Sequence, residues 1–278
     1  MVKPGAHDGL PASMADRPIG RAFADYTTQT LAVAAAEVEK LYHDPFELLT
    51  RAVQPVLWLM LFGEVMARIR GVASGNVPYL DFLAAGILAQ SALFVAIFYG
   101  ISAIWERDLG VLQRYLVSPA PRSALVLGKA LSAGVRALSQ ALIVYVLALL
   151  LGVGLDLNPL HIAGVLAAIV LGSGLFSMLS LIIACIVKTR ERFMGIGQVL
   201  TMPIFFASNA IYPLSLMPDW LRAVSHVNPL TYEVDALRAL MLANGTSDFG
   251  LVVDFAILLA AGAMLTAIAA RMYARMGF

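Results

Sequence analysis

Apolar residues fall along this chain in six blocks, and a bilayer-spanning helix needs about 20 mostly apolar residues. The blocks cover residues 47–67, 80–104, 123–152, 161–187, 195–215 and 250–270. The fifth is the least apolar and contains Pro203, which removes a backbone donor and predicts a disturbed helix. The pattern predicts an all-α integral membrane protein with six transmembrane helices. Residues 1–45 form an expected cytoplasmic N-terminal segment, and residues 46–278 the six-span domain.

The segments between blocks are amphipathic rather than merely polar. Leu31, Ala34, Ala35, Val38, Leu41 and Tyr42 share one helical face, with Glu37, Glu39 and Lys40 off it. Such a helix lies along the membrane surface or packs on the protein's own spans. "DPFE" then reads as a fresh start, with Asp44 as N-cap and Pro45 in the first turn. Between spans two and three stands "WERDLGVLQRYLVSPAPRSALVLGKAL". Here Leu109, Leu112, Tyr115 and Leu116 make an apolar stripe beside Glu106, Arg107, Asp108, Gln113 and Arg114. The prolines of "SPAPR" end that helix in a stiff corner. An ordinary solvated loop is the alternative, but a stripe with a rigid exit suits docking in a partner's groove. Between spans five and six, "MPDWLRAVSHVNPLTYEVDALRALMLANG" predicts two short extracytoplasmic helices. The second opens at Pro229, carries Leu230, Val234, Leu237 and Leu240/Met241 on one face, and closes at Asn244-Gly245.

Composition agrees with the pattern. The chain is 60% hydrophobic and 13% charged with a mean hydropathy of +0.82, which a soluble domain of 278 residues could not cover with polar surface. A net charge of +1 decides nothing, whereas its distribution does. Fifteen of the 19 Lys and Arg fall on the side of the N-terminus, the second-to-third connection, the fourth-to-fifth connection and the C-terminus. Arg68, Arg70, Arg222 and Arg238 lie opposite. Both termini are therefore expected in the cytoplasm. Residues 1–45 show no apolar core of signal-peptide type, and with the short connections this suits a bacterial inner (plasma) membrane.

Candidate chemistry is sparse. Cys185 is the only cysteine and reads as a packing residue. His7, His43, His161 and His226 lack ligand spacing, so no metal site is expected. Gly172, Ser173, Gly174 and Ser177 read as close helix packing rather than as a serine nucleophile. No phosphate-cradling G-x-x-x-x-G-K-[ST] is present, so this chain is not expected to hydrolyse ATP or bind a cofactor. Inside the spans, Lys129 can reach the surface. Arg136 faces either an interhelical partner or an anionic head group, and Gln140 follows it one turn on. Gln198 and Asn209 in span five are path, interface or helix-to-helix residues.

Two of these stretches carry a resemblance. "RDLGVLQRYLVSPAPRSALVLGKAL" and "IYPLSLMPDWLRAVSHVNPLTYEVDALRALM" resemble the coupling-helix region and the late signature of ABC-2 exporter permeases, the drug-resistance, nodulation and polysaccharide-export group. The likeness covers almost the whole chain. It implies a permease subunit without its own ATPase, paired with a second permease subunit and with two copies of an ABC ATP-binding subunit that holds ATP and Mg. Glu106, Arg107, Asp108, Leu109, Leu112 and Arg114 would then contact the ATPase. The cargo would be a hydrophobic or amphipathic drug, or a lipid or lipid-linked glycan, moved outward. Nucleic acid is not an expected partner. A stand-alone secondary transporter is the competing reading. It predicts carboxylates or histidines inside the spans.

Overall fold

A computed structural model of the chain describes residue 50 and residues 53–67, 78–109, 122–187 and 189–273, with the backbone alone for Glu64, Ala67, Glu106, Arg107 and residues 122–125. The expected N-terminal helix, the "DPFE" start and the "SPAPR" corner lie outside these residues.

Nine helices, besides a short 3-10 turn at Leu214–Leu216, order the described chain. They are α1 (residues 53–67), α2 (Tyr79–Tyr99), α3 (Ile101–Asp108), α4 (Arg122–Leu150), α5 (Pro159–Ile186), α6 (Arg190–Phe206), α7 (Asp219–Val227), α8 (Pro229–Met241) and α9 (Leu251–Tyr273). Four apolar stretches are long enough to cross a membrane: Tyr79–Trp105, Val126–Leu150, Pro159–Ile186 and Leu251–Tyr273. They fall on the second, third, fourth and sixth predicted blocks. The described part of the first block is shorter and includes a π-helical stretch, Leu57–Gly63. All of this is an all-α membrane architecture.

The core is built around α5, which packs against α2, α4, α8 and α9. Small residues set the close approaches. A methyl group on Gly86 would overlap the Ala210 backbone, and one on Gly100 would overlap Ser180. The Ser180 hydroxyl donates to the Ile97 carbonyl, so α5 is tied to α2 just before the break at Gly100. In "GSGLFS", Ser173 and Ser177 donate back to the Ile169 and Gly174 carbonyls of their own helix. That is packing chemistry. In contrast, α9 turns Val252, Leu259, Met264 and Ile268 outward, as a lipid- or partner-facing helix does.

The fifth block is where the backbone departs most from its apolar pattern. The expected span, 195–215, is instead α6, which opens at Arg190 with Thr189 as N-cap and stops at Phe206, soon after Pro203. The chain then turns through residues 207–212 inside the protein. Non-helical backbone is tolerated at such depth only when protein satisfies it. Here the Asn228 amide donates to Ile204 O at 2.7 Å, Tyr79 Oη to Ile211 O at 3.1 Å and Arg238 to Asn209 O at 2.8 Å.

Helix α8 starts as its sequence dictates. Asn228 caps it by accepting from the Leu230 N–H, and Pro229 fills the first position, where no donor is needed. It ends at Met241, three residues before the expected Asn244-Gly245 cap, because Leu242 turns extended and bridges to Leu155. The helix is buried between α2, α5 and α9 rather than lying on a surface.

Candidate functional site

Three places in this framework hold side chains with chemistry to offer. The first is the end of the bundle where α3 leaves it. Arg190 donates twice to the Asp108 carboxylate, at 3.2 and 3.1 Å, and its guanidinium lies 4.0 Å from the centre of the Trp105 ring. One ion pair and one cation–π contact thus join the end of α3 to the start of α6. Among the predicted coupling residues, Glu106 and Arg107 lie on α3 and Leu109 is exposed just beyond it. Leu112 and Arg114 lie outside the described residues.

The second place is a cavity of about 530 Å³ between α1, the end of α2, α3 and α4. Phe94, Val95, Phe98 and Tyr99 give it an apolar wall, and Gln54, Ser102 and Arg136 polar edges. The Arg136 guanidinium sits 5.4 Å from the Tyr99 ring centre. Ser102 Oγ is buried there without a hydrogen-bond partner. The four predicted path residues do not converge on this cavity. Gln140 is buried further along α4 and Gln198 is exposed on α6. Asn209 is buried in the turn after α6, and only its carbonyl is engaged.

The third place is α8 and its surroundings at the opposite end. Glu233 is fully buried with both carboxylate oxygens unpartnered, seated against Gly172 of α5. Burial pushes its carboxyl well above the ordinary value. Arg238 donates to Asn209 O and lies over the Phe82 ring at 3.8 Å. Burial lowers its guanidinium to about 10, against the pull of Asp235 and Asp248. Ser247 Oγ donates within reach of both Asp235 and Asp254, at 2.7 and 2.9 Å, and the Phe249 N–H also donates to Asp235. Beside this, Asp156 meets His161 Nδ1 at 2.6 Å, and its own N–H donates to the Met241 carbonyl at the end of α8.

Sequence reasoning missed this third set. The signal was present: Glu233 falls three residues after Leu230 and four before Leu237, on the apolar stripe itself. A charge on the buried stripe of a short helix has to be buried with it.

An all-α membrane bundle with one buried re-entrant-like helix between its last two long elements defines the class. The family follows from comparison. The family description "ABC-2 type transporter" matches residues 28–242, and the chain belongs to that family. It is similar to a putative transport permease, ycf38, of Cyanophora paradoxa, at 29% identity over 72% of this chain and 70% of that protein. It is similar to the daunorubicin resistance ABC transporter permease protein DrrB1 of Streptomyces coeruleorubidus, at 26% identity over 84% of this chain and 80% of that one. It is also 27% identical to nodulation protein J of Sinorhizobium fredii, over 70% and 74% of the two chains.

Proposed function

We propose that this chain is the transmembrane permease subunit of an ATP-driven exporter, moving a hydrophobic or amphipathic molecule outward across a bacterial plasma membrane. A separate ATP-binding subunit supplies the energy. Two such subunits serve a pair of permeases, and both termini face the cytoplasm.

The observation that supports this best is the Asp108–Arg190 pair with Trp105 beneath it. It links the segment that leaves α3, the predicted docking element, to the start of α6. A push on that segment is delivered to two helices together. Closure of the ATPase pair would then shift α2 and α6 against the rest of the bundle. The segment from Glu106 to Val117 is the part that receives the push, through Glu106, Arg107, Asp108, Leu109, Leu112 and Arg114.

The test is a pull-down from native membranes with that segment intact or scrambled. Recovery of an ATP-binding subunit by the intact chain alone supports the reading. Recovery by neither chain in mild detergent overturns it. Substitution of Glu106, Arg107 or Leu112 is expected to uncouple ATP hydrolysis from transport in protein that still inserts.

One observation favours the competing reading, a stand-alone secondary transporter. Glu233 is a buried carboxyl deep among apolar helices, of the kind proton-coupled carriers use. That reading predicts transport driven by a pH gradient without ATP and abolished by Glu233→Gln.

A further inference from the structure

We infer that Asp235 of α8 and Asp254 of α9 share a single proton through the Ser247 hydroxyl, and that this proton latches the two helices together. The latch lies beyond the permease reading and is independent of it.

Hydrogen counting at Ser247 leads to the proton. Ser247 Oγ lies 2.7 Å from Asp235 Oδ2 and 2.9 Å from Asp254 Oδ2, and the Gly250 N–H donates to it at 2.6 Å. A hydroxyl has one hydrogen to give and two lone pairs to fill. Its hydrogen serves one carboxylate, and one lone pair takes the Gly250 N–H. The second carboxyl then meets an oxygen with nothing left to donate. That contact is a hydrogen bond only when the carboxyl itself brings the hydrogen. The neighbours decide which one does. Asp235 Oδ2 also accepts from the Phe249 N–H at 3.1 Å, as an ionised carboxylate oxygen does. Asp254 Oδ2 meets Ser247 alone, so it carries the hydrogen. Asp254 donates to Ser247 Oγ, and Ser247 donates to Asp235.

Charge balance points to the same proton. Both aspartates are fully buried, and the Oδ1 oxygen of each has no hydrogen-bond partner. Two bare carboxylates about one hydroxyl would repel each other where little water screens them. Arg238 is the cation that acts on Asp235, and it acts on Asp248 as well. Three carboxylates against one guanidinium favour a shared proton. The other titratable groups on the surrounding elements are engaged elsewhere. Glu233 of α8 is turned to Gly172 of α5. Tyr232 of α8 donates its hydroxyl to the His226 carbonyl, and the His226 ring of α7 lies edge-on to Phe249. Asp156 and His161 meet each other at the start of α5, and Asp81 of α2 accepts from the Gly154 N–H.

Loss of the proton has a structural consequence. Ser247 is half-buried and Asp248 beside it is exposed, so water can deliver and remove the proton at this end. The titration belongs to the pair rather than to one aspartate. The latch is closed while the proton is held and opens as pH rises. Arg238 stands one turn after Asp235 on α8, and it holds the Asn209 carbonyl of the buried turn. Release at Asp235 therefore reaches the turn that follows α6.

The experiment uses the full chain in detergent with Glu233→Gln, so that the other buried carboxyl of α8 does not titrate. Infrared difference spectra between about pH 6 and about pH 9 follow the carbonyl band of a protonated carboxyl. Hydrogen exchange follows the Phe249 and Gly250 amides, as protection factors that remove the ordinary rise of exchange with pH. The band is expected to disappear on alkalinisation, while protection at both amides falls about tenfold. Asp254→Asn should remove that band and keep the protection through the whole range, because its amide still donates to Ser247 Oγ and has no proton to lose. Asp235→Asn takes away the negative neighbour and should move the transition to lower pH, which a purely structural role would not do. Ser247→Ala gives a second reading where Asp254→Asn fails to fold. The acid hydrogen then loses its acceptor, and the band should shift in frequency. Absence of an alkali-sensitive band overturns the proposal, as does a band unchanged by both Asp254→Asn and Ser247→Ala. An equal fall in protection in Asp254→Asn and its parent overturns it too, because the latch would then open without the proton.

Discussion

Glu233 of α8 rests in the notch that Gly172 leaves on α5. A methyl group at position 172 would overlap the carboxyl, so Gly172→Ala is an overpacking substitution, expected to cost about 1–3 kcal/mol. Gly86→Ala should cost more, because the atoms it meets are the Ala210 backbone, which cannot rotate aside. Thermal unfolding of the two variants in detergent checks the order. Glu233→Ala placed beside Gly172→Ala should recover part of the loss, whereas it should do nothing for Gly86→Ala.

The same carboxyl sets a pH dependence. Burial raises the folded-state value of Glu233 above its ordinary 4.5, so the folded chain holds this proton more tightly than the unfolded chain. The stabilising contribution is full below the ordinary value. It is lost as pH rises from there toward the raised folded value. Glu233→Gln keeps the shape and abolishes the titration. Its unfolding midpoint should therefore fall less with rising pH than that of the parent, in scans from pH 5 upward.

Much of this fold was legible in the hydrophobic pattern, and the limits of that legibility are physical. Four blocks carried enough apolar length to cross a bilayer, and each forms a helical stretch of that length. Pro229 placed the start of α8 correctly, because its preference for the first helical position is local chemistry. The fifth block misled in its extent. Residues 207–212 are apolar enough to continue a span, yet Tyr79 and Arg238 hold them as a turn from far away in sequence. The burial of α8 was hidden for a related reason. A helix with three charges reads as a surface element until its neighbours are known. Of the candidate site, Arg136 was found from its cost in the membrane. The aromatic wall opposite it was not, because Phe and Tyr are unremarkable in any span. The pairing of Asp108 with Arg190 joins positions 82 apart and leaves no local trace.

Arg238 is expected to be intolerant of a like-charged replacement. Its planar fork both lies over the Phe82 ring and reaches the Asn209 carbonyl. A lysine is a point charge on a flexible stem and cannot make both contacts in that geometry. Arg238→Lys should destabilise by about 1–3 kcal/mol, the cost of leaving a buried group without its partner. The turn at 207–212 should loosen first. Hydrogen exchange at those amides, compared with amides of α5, separates a local opening from global loss.

At the opposite end, Asp156 ties the connection between α4 and α5 to the end of α8. The Asn158 N–H and His161 hold its carboxyl below the ordinary range. A lowered carboxyl contributes stability that is present above its unfolded value and lost as pH falls through the folded one. As pH falls from the ordinary carboxylate value through this lowered one, the carboxyl should therefore release the Asn158 N–H and His161 and loosen the start of α5, and Asp156→Asn should shift the exchange of the Asn158 amide at neutral pH toward that of the acidified parent. The bridge between Leu155 and Leu242 gives the control, because its bonds, Asp156 N–H to Met241 O and Ala243 N–H to Gly154 O, are backbone only and should keep their protection.

The Asp108–Arg190 pair should matter for coupling far more than for stability. Both side chains are about one-third exposed, at 38% and 35%, and exposed pairs contribute roughly 0–1 kcal/mol. Asp108→Arg should leave the unfolding midpoint within that range. It should nevertheless sever the link between the α3 exit and α6, placing two guanidiniums where one sat over Trp105. In vesicles carrying the permease and the proposed ATP-binding subunit, ATP hydrolysis should persist while substrate movement falls several-fold. The exchanged pair, Asp108→Arg with Arg190→Asp, rebuilds the salt bridge with the charges reversed. It loses the stacking of Arg190 on Trp105, so recovery should be partial. Recovery by the double exchange identifies the pair itself as the connection. Equal loss in single and double variants would mean that Trp105 and its stacked guanidinium transmit the motion, and Trp105→Leu should then reproduce the defect alone.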